Sequence, residues 1–76
     1  MKLKIFGADW CSPCKKSKQL CEQHNIEYEF FDISDSPEAL EQIKKLLGKE
    51  PKTIPQIFNE DGLIGGLDQL IQLLSV

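Results

Sequence analysis

The sequence predicts an α/β domain built on a four-stranded mixed sheet with three helices, in the order β-α-β-α-β-β-α. Three observations predict it. Short apolar runs alternate with stretches of helical periodicity, prolines and glycines stand at the boundaries between them, and a length of 76 residues admits one small domain spanning residues 1–76. Leu3 to Phe6 reads as a first strand, and Gly7 to Trp10 as the loop that delivers Cys11. Ser12-Pro13 then opens a helix, because proline is tolerated where the N–H has no partner anyway. Cys14, Ser17, Cys21 and His24 share one face at helical spacing, with Leu20 beside them, which predicts a helix from Ser12 to His24 ended by Asn25.

Ile26 to Ile33 begins by alternating apolar and polar residues and turns apolar at Phe30-Phe31, as a strand entering the interior does. Ser36 as N-cap, Pro37 in the first turn and Glu38 open a second helix, with a stripe of Leu40, Ile43, Leu46 and Leu47 and a stop at Gly48. Lys49 to Lys52 reads as loop. A central strand does not hold proline in mid-run, so the third strand begins after Pro55 and runs to Phe58. Asn59-Glu60-Asp61-Gly62 is a hairpin turn into a short strand at Leu63-Ile64, closed by Gly65-Gly66. Leu67, Leu70, Ile71 and Leu74 mark the last helix. The first two strands are then parallel across a right-handed helical crossover, and the last two form an antiparallel hairpin.

Composition narrows the function. The net charge is −3, and all 9 basic residues are lysines. A nucleic-acid binder needs a basic face and commonly the guanidinium fork, so that class is set aside. No apolar stretch is long enough to span a bilayer. The first residues hold no apolar export segment, which predicts a cytoplasmic protein. In that reducing compartment an odd count of three cysteines points to redox or metal chemistry rather than a structural disulfide framework.

Cys11-Ser12-Pro13-Cys14 carries the strongest chemical signal, with one thiol just before a helix and the second inside its first turn. The helix end and the lysines at 15, 16 and 18 favour a thiolate on Cys11, which attacks a disulfide; Cys14 then resolves the mixed disulfide. Thr53-Ile54-Pro55 is a second signal: placed beside Cys11, the Ile54 backbone offers an edge for a peptide-like substrate. Taken alone, it is equally a proline that opens a strand. Gly65-Gly66-Leu67-Asp68 is a third, in which the N–H groups of Leu67 and Asp68 suit a carboxylate and Asp68 an ammonium group; its plain alternative is an ordinary turn into a helix.

Together with Lys-Ile-Phe-Gly before the cysteines, Phe-Phe-Asp-Ile in strand two and Thr-Ile-Pro-Gln-Ile-Phe, these segments resemble the glutaredoxin family, of thioredoxin-like fold, over nearly the whole chain. The resemblance implies a dithiol thiol–disulfide oxidoreductase that reduces protein or glutathione mixed disulfides. It implies Cys11 as nucleophile and Cys14 as resolving thiol, with Thr53, Ile54 and Pro55 along the substrate backbone and Gly66, Leu67 and Asp68 at the γ-glutamyl end of glutathione. Glutathione is then a co-substrate with no bound cofactor, the protein acts as a monomer, and reductive enzymes such as ribonucleotide reductase are its targets. Two positions depart from the family pattern. The family's cation three residues before the first cysteine is Ala8 here, for which Lys15 or Lys52 is the substitute, and Asp9-Trp10-Cys11-Ser12-Pro13-Cys14-Lys15 is similar to the active-site segment of thioredoxins. That leaves thioredoxin reductase as the alternative source of electrons.

Trp10 is a surface for partner proteins or a ring covering Cys14, two readings of equal weight. Cys21 reads as a small core residue and His24 as a helix-end residue suited to the dipole. A zinc module is the alternative from another class, since Cys11, Cys14, Cys21 and His24 are spaced Cys-x2-Cys-x6-Cys-x2-His. One helix would hold Cys14 and His24 about 15 Å apart, which tetrahedral ligation does not span. A glutathione-bridged iron–sulfur dimer is disfavoured by Pro13 in the loop.

Overall fold

A computed structural model describes residues 2–75. The elements are β1 (Lys2–Gly7), α1 (Ser12–Gln23), β2 (Glu27–Asp32), α2 (Pro37–Leu47), β3 (Gln56–Asn59), β4 (Gly62–Gly65) and α3 (Leu67–Leu74). The order is the expected one. The sheet runs β2-β1-β3-β4, with β1 parallel to β2, and β3 antiparallel to both β1 and β4.

Strand alternation sends side chains to two separate cores. On one face Leu3, Ile5 and Ile57 close against Cys21 of α1 and Leu70 of α3, with Tyr28 and Phe30 packed beside them. On the other face Phe6 and Phe58 meet Ile43 of α2, flanked by Phe31, Leu40 and Leu47. Phe6 stacks on Phe31 at 4.8 Å and meets Phe58 edge-on at 5.8 Å. The sheet is therefore covered on both sides, α1 and α3 on one and α2 on the other, and Cys11 lies at the strand ends where α1 and α3 begin.

Helix ends differ from the sequence reading by single residues, for identifiable reasons. The α1 helix stops at Gln23 with His24 as its cap, because Asn25 adopts the left-handed φ of 56°. The Asn25 N–H then donates to the Glu22 carbonyl and the Ile26 N–H to that of Cys21, which uses up Ile26 and starts β2 at Glu27. The Ser36 hydroxyl caps α2 by accepting from the Ala39 N–H at 3.2 Å, and Gly48 ends it at φ 74°. Leu46 departs from the expected stripe. At about 100° per residue it falls at the stripe's margin, beyond Ala39, and is 49% exposed.

Candidate active site

Cys11 ends the loop after β1 as the N-cap of α1, and its side chain makes no capping bond. No acidic residue stands in the first turn either, where a carboxylate would offset the positive helix end. The Lys15 N–H bonds the Cys11 carbonyl at 3.1 Å, which starts the helix, and Ser17 donates to the Pro13 carbonyl at 2.8 Å, which satisfies a hydroxyl buried beneath the dithiol turn.

The two thiols are close but unequally placed. Cys11 retains 7% exposure and Cys14 none, so of the two thiols Cys11 is the one that meets solvent. Cys11, Cys14 and Ala8 form one small buried cluster, roofed by Phe30 and Ile54. Burial pushes the Cys14 thiol up from 9.0 to about 12; its hydrogen bond to Cys11 and the charge there add to the rise, while the Ala8 backbone and Lys18 oppose it.

That proton makes stability depend on alkali. A thiol held to about 12 in the fold, and to 9.0 in the unfolded chain, contributes stability that is complete below pH 9.0 and is lost as pH climbs towards 12. Cys21, raised by burial, and Tyr28, raised to about 12 by its hydrogen bond to Glu22, act in the same direction. We expect the melting temperature of the reduced protein to fall across this range and Cys14→Ser to fall less steeply; equal slopes in thermal denaturation would remove Cys14 from the explanation.

Beside the dithiol lies a groove of about 260 Å³ lined by Pro13, Thr53, Ile54, Pro55, Gly66, Leu67, Asp68 and Gln69. Six of these are the residues singled out from sequence, brought together from the loop before β3 and the start of α3. The Ile54–Pro55 bond is cis, and the Cys11 sulfur lies 4.0 Å from the Ile54 carbonyl oxygen. Gln69 was missed: its side-chain oxygen accepts from the Gly66 N–H at 2.9 Å. The signal available was its place three residues past Gly66, where a glutamine reaches back to the helix start. Gly65 holds a φ of 131°, and a Cβ there would lie 2.7 Å from Gln69 Cγ, so this turn demands glycine.

Three expected contact residues are not in the groove. Lys15 is exposed on α1, and Lys52 lines a different depression with Leu47, Lys49 and Leu63. Trp10 is 71% exposed and does not cover Cys14, which is enclosed by Ala8, Phe30 and Ile54. Cys21 is buried in the core between α1 and the sheet, as expected. The zinc spacing does not converge: Cys14 and Cys21 lie along one unbroken helix capped by His24, and among the described residues no three metal-ligating side chains cluster.

Residues 3–64 match the family model for glutaredoxin. The chain is 34% identical to a glutaredoxin of Haemophilus influenzae, covering 93% of this chain and 87% of that one. The reduced glutaredoxin of Escherichia coli superposes with a TM-score of 0.79 at 29% identity, over 99% of this chain and 94% of that one. A buckwheat glutaredoxin solved with glutathione shares the fold, with a TM-score of 0.76 at 22% identity over 92% of this chain and 64% of that one. The expected thioredoxin-like architecture is the one these structures carry. On an agreement that extends across both sequence and architecture, the chain belongs to the glutaredoxin family and is a thiol–disulfide oxidoreductase.

Proposed function

We propose that this chain reduces protein disulfides and glutathione mixed disulfides, with Cys11 as nucleophile, Cys14 as resolving thiol and glutathione as the reductant that restores the pair. The observation that carries the reading is the groove whose lining residues flank Cys11. A γ-glutamyl carboxylate fits the first-turn N–H groups of Leu67 and Asp68, which have no partner within α3, and the Asp68 carboxylate suits the ammonium group beside it. The Ile54 backbone, at the entry to β3, suits the peptide portion, and the glutathione sulfur then faces Cys11.

In the first step the Cys11 thiolate attacks a substrate disulfide, and one substrate sulfur leaves as a thiolate. In the second, Cys14 gives up its proton and attacks Cys11 Sγ; the Cys11–Cys14 bond forms, the mixed disulfide breaks and the second thiolate leaves. Reductive enzymes that form a disulfide at each turnover, such as ribonucleotide reductase, are the target class, and the cytoplasm is the compartment that keeps the dithiol reduced. Residues 1–76 act in this as one monomeric domain.

A second reading has its own support. Ala8 stands where relatives carry a cation, neither Lys15 nor Lys52 lines the groove, and the exposed Trp10 precedes Cys11 as in thioredoxins. Thioredoxin reductase would then be the electron source. Recycling distinguishes the two: oxidised protein is supplied either with glutathione and glutathione reductase or with thioredoxin reductase. Glutathione is expected to restore the dithiol, and restoration by thioredoxin reductase alone would overturn the glutathione assignment.

A further inference from the structure

Lys18 sits one helical turn after Cys14 on α1, and its position is unusual for a lysine. Its ammonium lies 4.1 Å from the centre of the Phe30 ring, and Phe30 is the residue that packs against Ala8, Cys11 and Cys14. The side chain is only 26% exposed, whereas its ion-pair partner Asp9, at 3.9 Å, is 79% exposed and well screened by water. A positive charge is thus held on an aromatic face beside a buried dithiol, with its counter-charge out in solvent.

We propose that Lys18 is a positioning residue for the second half of the exchange: its ammonium, held on Phe30, favours the charged form of Cys14 and so speeds release of the second substrate thiol. The inference rests on the reading of Cys11 as nucleophile and Cys14 as resolving thiol. In this step Cys14 must become a thiolate while fully buried, where charge is least tolerated, and its proton passes through solvent to the departing thiolate. A nearby fixed cation offsets part of that cost without touching the reacting sulfurs. The direction of the Lys18 influence on Cys14, opposing the rise caused by burial, agrees with this role.

The test mixes reduced protein with one equivalent of dithiodipyridine, an uncharged disulfide, in a stopped-flow instrument. Capture at Cys11 releases one thiopyridone at a rate that scales with concentration, and resolution by Cys14 releases the second at a rate that does not. Cys21 is fully buried and takes no part. Lys18→Met should slow the second release about fivefold and the first by clearly less, since the charges of Lys15 and Lys16 and the helix end still act on Cys11, and Lys18→Arg, which keeps the charge on the ring, should restore the second release. In a Cys14→Ser background, where only capture remains, adding Lys18→Met should have no more than the small effect it has on the first release. An unchanged second release in Lys18→Met, or equal slowing of both phases, overturns the proposal. Two releases from Cys14→Ser would instead overturn the assignment of the thiols on which it rests.

Discussion

Cys11→Ser should reduce disulfide reductase activity to the uncatalysed background. A serine hydroxyl does not ionise at neutral pH, so the attacking atom is lost, and neither remaining thiol can stand in for it. Cys14 is fully buried, with its thiol pushed up to about 12, and Cys21 is sealed in the core between α1 and the sheet. Turnover of a glutathione mixed disulfide, followed by consumption of glutathione, measures the loss. Cys14→Ser should behave differently, because the sulfur that meets substrate survives: one-thiol exchange with glutathione continues while reduction of protein disulfides fails. Undiminished activity in Cys11→Ser would show that the chemistry lies elsewhere.

Gly7→Ala should damage both stability and resolution. The Gly7 φ is ordinary, so its backbone admits any residue, but the space beside it does not. A Cβ at this position would collide with Cys14 Sγ, lie 3.1 Å from Cys14 Cβ and touch Phe30. Neither side yields easily: Gly7 closes β1, where its carbonyl accepts from the Ile33 N–H at 2.9 Å, and Cys14 is held in the first turn of α1. Overpacking of this kind costs about 2 kcal/mol, on the order of 10 °C in melting temperature for a domain this small. The forced shift also moves Cys14 relative to Cys11, so release of the second thiol should slow. Thermal denaturation and the two-phase release assay check the two effects, and a melting temperature equal to that of the parent would refute the collision.

How much of this was legible in the residues themselves follows from the range of each interaction. The seven elements were readable because their signals are local: Ser36 and Pro37 at a helix start, Gly48 at its end, Pro55 excluded from mid-strand. The groove was readable because its two halves, Thr53-Ile54-Pro55 and Gly66-Leu67-Asp68, each carry their own turn chemistry, even though only the fold brings them together. Gly7 looked like the start of a loop. Its reason for being glycine is a sulfur on the following helix, a contact that no neighbouring residue announces. Trp10 stayed undecided for the same cause, since burial of Cys14 by Phe30 and Ile54 is a tertiary fact. Lys18 was readable as nearby charge, whereas its seat on Phe30 depends on how α1 lies against β2.

In the proposed exchange a substrate sulfur bonds to Cys11 and is displaced by Cys14. Mass spectrometry of Cys14→Ser treated with oxidised glutathione reads the first of these bonds, because the variant halts the exchange at its midpoint. One glutathione per chain, mapped by fragmentation to Cys11, is the expected result. An adduct on Cys21, or no adduct while the parent protein still forms its Cys11–Cys14 disulfide, would contradict the assignment.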